Sequence, residues 1–308
     1  SSDEEMLEAV FTCLGAGEEA LLTHVLRASS LASALGLRFV VVTFSPLGSA
    51  AHARLIDSGA LALASPPQPS PAAELRAAVR AVARLVPAEA SSYIAWMEPS
   101  QEDFLRFAGH LCAWLDEGRA DLVAPRRAAG GGAAYPAEQA HAEAFGNLYL
   151  NALLESHAAA IAAYSRLPLA PPCVDWFFGP VLLRASFACH WHASPHAMAE
   201  HEPRCVASLL ALLRAVRAGA TLATPEITYV QPSKHHPLGA HGLAVHAAAE
   251  GEGEARASAL DGVQQQWLRL SATIRFVSEE IVDMARATVA QVSAAAASEE
   301  PPAALGAR

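Results

Sequence analysis

Strand-like and helix-like segments alternate about four times before residue 125, which confines the chain to a small set of architectures. Residues 9–15 (AVFTCLG) read as a short strand ending at Gly15-Ala16-Gly17. Glu18 to Leu35 follows as a helix with Leu21, Leu22, Val25, Leu26, Leu31 and Leu35 at its apolar positions, and Gly36 stops it. Arg38 to Phe44 (RFVVVTF) is a near-continuous β-branched run, the pattern of a strand buried on both faces. A short helix Ser49–Ser58, a weak strand Leu61–Ala64 and a Pro-rich loop lead to the helix Ala72–Leu85. Strand Ser92–Trp96, a turn at Met97–Ser100, helix Glu102–Glu117 and strand Asp121–Ala124 complete the series. Parallel strands need crossover connections, so the alternation predicts an α/β fold with a mostly parallel central sheet flanked by helices. Ligands of such sheets bind beyond the carboxyl ends of the strands. The turns at Gly15, Ser45, Met97–Glu98 and Arg126–Arg127 are therefore expected to share one rim.

The second half is less regular. Gly130–Gly132 reads as a link, Ala137–Ser156 as a helix, and Pro168–Pro172 as a break before Asp175-Trp176-Phe177-Phe178-Gly179-Pro180. Pro203–Ala218 is an amphipathic helix, Leu222–Tyr229 a strand, His235–Ala255 a Gly-, Ala- and His-rich loop, and Gln264–Ser293 a long closing helix. The expected organisation is an extension at 1–8, a first half at 9–127, a second half of the same domain at 128–293, and a disordered tail at 294–308.

Composition removes several function classes. The formal charge of −10 argues against nucleic-acid binding, which needs clustered Lys and Arg, and Lys234 is the single lysine. The chain is 53% hydrophobic, with a mean hydropathy of +0.23. Much of that is alanine, and no run of about 18 apolar residues is uninterrupted by charge or Pro, so no transmembrane span is expected. Ser1 to Glu8 is acidic and shows no leader pattern, which gives a cytoplasmic expectation. Cys13, Cys112, Cys173, Cys189 and Cys205 are odd in number and form no CxxC, so reduced, mostly buried thiols are expected.

Four segments carry candidate chemistry. Trp96-Met97-Glu98-Pro99 places a carboxylate directly after a strand, where a hard cation could be held on a diphosphate; the plain alternative makes Glu98 a turn residue, with Glu102 and Asp103 as helix-start charges. Asp121 to Arg127 ends a strand in two arginines, whose guanidinium forks match phosphate oxygens, or which form a solvated basic turn. Gln139, Glu143, Asn147 and Asn151, spaced by four, form one polar helix stripe that suits sugar hydroxyls or solvent equally. Asp175 beside Trp176, Phe177 and Phe178 joins an acid able to deprotonate a hydroxyl to rings that pack against sugars; a core role for the rings is the alternative. The histidines match no HExxH spacing, although His235 or His236 could give a late ligand to a shared metal.

The order YIAWMEPS, ADLVAPRR, YPAEQAHAEAFGNLYLNAL, DWFFGP resembles family 2-like glycosyltransferases with WxEPE-type, PRR, YPxxQxxxExFGN and DWxFGP motifs, over about residues 9–235. The resemblance implies a glycosyltransferase type A (nucleotide-diphospho-sugar transferase) fold. It implies a transferase moving a sugar, with inversion, from a nucleoside-diphosphate sugar to a small-molecule or glycan hydroxyl. Asp175 would be the catalytic base. Glu98, Arg126 and Arg127, with Thr12 and Ser45, would bind the donor, and Gln139, Glu143, Asn147 and Trp176 the acceptor or sugar. Mg²⁺ or Mn²⁺ would sit on Glu98 and His235. No DxD is present, Val42-Thr43-Phe44-Ser45 carries no aspartate, and Ser100 stands where the WxEPE-type turn has an acid. Those departures support a second reading, a catalytically silent protein of the same fold that binds a ligand or partner. A nucleotidyltransferase, the third, would need a GxGxR-type loop that Leu14–Gly17 does not supply.

Overall fold

The computed structural model describes residues 7–15, 18–86, 92–128, 137–162, 173–191, 204–230, 270–290 and 293–294. Its main sheet forms from β1 (Leu7–Leu14), β2 (Phe39–Thr43), β3 (Leu61–Ala64), β4 (Tyr93–Trp96), β5 (Leu122–Val123), β7 (Val181–Arg184) and β8 (Leu222–Ala223). The spatial order is β3-β2-β1-β4-β7-β5-β8. All pairings are parallel except those of β7, which runs antiparallel to β4 and β5. The mostly parallel sheet is as the sequence predicts; β7 was not foreseen.

The helices are α1 (Leu22–Ala34), α2 (Ser49–Asp57), α3 (Pro71–Ala83), α4 (Ala108–Asp116), α5 (Ala137–Ser156), α6 (Ala158–Ala162), α7 (Arg204–Arg217) and α8, residues 270–290. α3 starts cleanly because Ser70 Oγ accepts from the Ala73 N–H at 3.2 Å and Pro71 occupies the first turn, where no N–H is required. α1 and α4 begin instead with 3₁₀ turns, Glu19–Leu21 and Glu102–Phe107.

Alternation along β1 assigns the two faces. Ala9, Phe11 and Cys13 pack with Leu75 and Val79 of α3, Leu212 and Val216 of α7, and Val277 and Ile281 of α8. Val10 and Leu14 pack with Val25 and Ala28 of α1 and Leu111 and Leu115 of α4. Every residue of β2 is buried, as its β-branched run requires.

The segment expected as one strand over Leu222–Tyr229 divides in two. β8 joins the main sheet, whereas β9 (Glu226–Ile227) pairs with β6 (Arg126–Arg127) in a separate ladder. Pro125 and Pro225 stand at the two breaks, and neither can donate a ladder hydrogen bond. The pair of chains bends together there, and the Arg126 N–H donates to the Pro225 carbonyl at 3.0 Å. The expected thiol burial holds for Cys13 and Cys112, both pushed up to about 12 with desolvation as the main cause, while Cys173 and Cys189 are exposed. The link at 130–132, the Pro168–Pro172 break, the His-rich loop and the residues from 295 onward lie outside the described residues. Among the described residues no helix is long and apolar enough to cross a membrane.

Asp121 ties three strands at the far end of the sheet. Its carboxylate accepts from the Thr221 N–H (2.8 Å), Thr221 Oγ1 (2.7 Å) and Arg184 Nε (3.2 Å). Asp121→Ala leaves those donors unpaired in a largely buried setting and is expected to cost about 1–3 kcal/mol, measured by urea unfolding.

Candidate functional site

The strand directions carry the carboxyl ends of β1, β2, β4 and β5 to one edge, joined there by the start of β7. The motif segments meet at this edge. The Glu98 N–H donates to Gln101 Oε1 at 3.0 Å, and Gln101 Nε2 donates to the Phe178 carbonyl at 2.7 Å. Gln101 is 4% exposed, so this amide rivets the turn after β4 to the DWFFGP loop.

The Phe178 ring lies under the Arg127 guanidinium, 5.5 Å from its centroid. Arg127 grips Asp175 with two donors, Nε to Oδ2 at 2.7 Å and Nη2 to Oδ1 at 2.9 Å. Nη2 also reaches Glu143 Oε2 at 2.9 Å. The Arg127 side chain is 7% exposed, Asp175 8% and Glu143 14%, so one buried cation faces two buried carboxylates.

α5 supplies the other wall. Asn147 Nδ2 donates to Asp175 Oδ1 at 3.0 Å, and its Oδ1 accepts from the Trp176 N–H at 2.8 Å. One turn later Asn151 accepts from the Val174 N–H (2.9 Å) and donates to the Val174 carbonyl (2.8 Å). The two asparagines thus hold the loop as a strand partner would. Gln139 Nε2 donates to Glu143 Oε1 at 2.7 Å, while Gln139 Oε1 is buried with no hydrogen-bond partner among the described residues. The polar stripe therefore faces inward, onto the ion cluster. Gly146 lies on the same side because the Phe177 ring sits where a Cβ would be, 2.6 Å from it.

Protonation follows from these contacts. Burial penalises the Asp175 charge, but the Arg127 hydrogen bonds and charge and the Asn147 amide outweigh it and hold the carboxyl below its ordinary range. Glu143 goes the other way: desolvation outweighs Arg127 and Gln139 and raises it.

The remaining expected residues are placed differently. Arg126 is half-exposed at the rim and pairs with Glu226 at 2.9 Å. Glu98 is partly buried at the β4 tip, and Ser45 is partly exposed just after β2. Thr12 lies within β1, fully buried, opposite Val41 and short of the rim, so its hydroxyl does not front the cleft. Trp176 is likewise fully buried, donating Nε1 to Asn151 Oδ1 at 3.2 Å; it is a core ring, and no face is left for a sugar. Glu102 turns to His24 Nδ1 (3.2 Å) on α1, and Asp103 to Arg106 (2.9 Å). His235 lies outside the described residues. Among the described residues no three His, Cys, Asp or Glu side chains gather to hold a metal ion. Of the two expected metal ligands, Glu98 is the one that lies among the described residues.

One cluster at the rim is absent from the sequence reading. Arg204, at the start of α7, binds Glu18 bidentately (2.8 and 2.9 Å) and also pairs with Glu74 of α3. Glu18 in turn accepts from the Gly15 N–H at 2.7 Å, and a Cβ on Gly15 would meet Glu74 and Arg204 within 2.8 Å. A signal existed: an arginine at a helix N-terminus opposes the macrodipole and calls for acidic partners.

No family model matches the sequence, and no curated protein matches it. Among solved structures, the chain is similar to glucosyl-3-phosphoglycerate synthase from Mycobacterium tuberculosis in complex with phosphoglyceric acid, at 15% identity over 83% of this chain and 79% of that one, with a TM-score of 0.45. The same synthase in complex with Mn²⁺, UDP and glucosyl-3-phosphoglycerate aligns at 15% identity over 73% and 70%, with a TM-score of 0.43. S. aureus TarS (1–349) aligns at 12% identity over 94% and 92%, with a TM-score of 0.38. The mostly parallel sheet flanked by helices fits the glycosyltransferase type A architecture that the motif order implies.

Arg127→Ala strands two buried carboxylates and is expected to cost about 3–5 kcal/mol at neutral pH. The Asp175 pairing contributes stability above the unfolded carboxylate range and loses it as pH falls through the depressed folded value. The raised Glu143 carboxyl acts oppositely, its charge costing stability as pH rises through the folded value, and more so without the guanidinium. The gap between wild type and variant should therefore narrow from pH 7 to about pH 4, measured by urea unfolding at both.

Proposed function

We propose that this chain transfers a sugar from a nucleoside-diphosphate donor to a hydroxyl acceptor, with inversion, at the rim between β4, β6 and α5. The observation that carries the reading is convergence: Glu98, Arg127, the polar α5 stripe and the DWFFGP loop lie far apart in sequence and form one hydrogen-bonded edge, with Arg126 beside it. In the transfer, the acceptor oxygen bonds to the anomeric carbon as the bond to the diphosphate breaks, and the hydroxyl proton passes to water at the rim.

Roles are assigned by exposure. Arg126, half-exposed and paired only at the surface with Glu226, offsets charge on the departing diphosphate. Glu98 and Ser45 border the donor side of the cleft. Asp175 fits the part of base poorly, because a carboxylate held by Arg127 and Asn147 has a lowered proton affinity. We assign it a positioning role, with Arg127, Asn147 and Glu143.

A second reading, ligand binding without turnover, is favoured by the engagement of Asp175, the expected base, with Arg127 and Asn147. It predicts donor binding with no release of nucleoside diphosphate, and binding unaffected by Glu98→Ala.

Calorimetry of UDP-, GDP- and CDP-sugars with and without Mn²⁺ tests the proposal. One donor is expected to bind, and Arg126→Ala should weaken it about tenfold. Absence of binding by all three rejects both readings.

A further inference from the structure

α5 is apolar on two opposite sides. Leu150 and Leu154 are buried in the core, while Phe145 (65% exposed), Leu148 (71%) and Tyr149 (42%) face outward. Three of the large exposed apolar side chains therefore sit within two turns of one helix, on the face turned away from Asn147 and Glu143. An exposed apolar stripe of this kind marks a surface suited to a partner.

The outward stripe is self-complementary. It runs through His141, Ala144, Phe145, Leu148, Ala152 and Glu155, of which His141, Ala144, Ala152 and Glu155 are also exposed. Leu148 lies midway, with His141 seven residues before it and Glu155 seven residues after it. An antiparallel copy crossing at Leu148 would set Leu148 on Leu148 and His141 opposite the other copy's Glu155, twice. Ala144 would meet Ala152, and two small side chains let the helix axes come close. The two ends of the stripe lie about 21 Å apart at 1.5 Å per residue, enough for a seam of four turns. A chain of formal charge −10 repels its own copies, so a self-contact gains from a patch where a carboxylate meets an imidazole and not another carboxylate.

We propose that α5 is an isologous dimerisation helix, docking on α5 of a second copy in antiparallel register centred on Leu148. A two-fold contact demands that one patch be complementary to itself, and the His141–Glu155 symmetry meets that demand. The candidate site lies on the inner side of the same helix, so the contact leaves it uncovered.

Sedimentation velocity of the full chain across micromolar concentrations tests this. Wild type should sediment as a dimer. Leu148→Glu, an exposed position whose change spares the core, should raise the dissociation constant at least about tenfold while circular dichroism stays unchanged. His141→Glu alone sets Glu against Glu and should weaken the dimer, and His141→Glu with Glu155→His should restore it. A wild type that stays monomeric, as when residues 231–269 of its own chain cover the stripe, overturns the proposal. So does a dimer indifferent to Leu148→Glu, and a double swap that fails to restore association overturns the antiparallel register.

Discussion

One guanidinium holds the candidate site together. Arg127 comes from a two-residue strand that pairs outside the main sheet, just beyond Pro125 and Pro225. From there it reaches the loop before β7 through Asp175 and the helix α5 through Glu143. Two carboxylates and one cation leave the cluster one negative charge in excess, which is why the two acids settle differently. Asp175, with the stronger grip on Arg127 and an amide from Asn147, stays charged, while Glu143 bears the cost of burial. Such a cluster contributes little to net stability against an apolar replacement, yet breaking it is expensive. Its effect is to fix where the loop lies.

The second acid–arginine–acid cluster repeats this logic at the other end of the rim. Arg204 joins the turn after β1, through Glu18, to α3, through Glu74. Burial opposes the Arg204 charge, but the hydrogen bonds and charges of Glu18 and Glu74 outweigh it and raise the group above its ordinary value. A side chain at position 15 would meet the Glu74 carboxylate and the Arg204 guanidinium and displace the tips of that pair. A buried arginine thus anchors each of these two clusters, and Glu98, Ser45 and Arg126 lie along the same rim. Chemistry at this rim would rest on positioning and electrostatics supplied by a rigid surround.

The α/β class and the order of the first elements are readable from the chain because they depend on local pattern. Burial of β2 on both faces is written in Phe39-Val40-Val41-Val42-Thr43, and α5 begins and ends where its composition predicts. The gathering of Glu98, Arg127 and Asp175 on one edge is also legible, because parallel strands send their carboxyl ends to the same side. Side-chain partners are another matter. The stripe of Gln139, Glu143 and Asn147 has the same spacing whether it faces solvent or an ion cluster, and an aromatic such as Trp176 reads alike in a loop and in the core. Thr12 lies close to Gly15 in sequence, yet strand pairing seals it away from the rim.

By itself, the sequence determined the alternation of strand and helix, the sheet class and the rim on which the motif segments end, since each follows from periodicity over neighbouring residues. Tertiary structure alone decided that β7 runs antiparallel into the sheet, that Arg204 meets Glu18 and Glu74, and that Asp175 spends its charge on Arg127. Those outcomes join residues as many as 186 apart. No local pattern encodes which distant charge will arrive; burial and the cost of leaving it unpaired select the partner once the layers close.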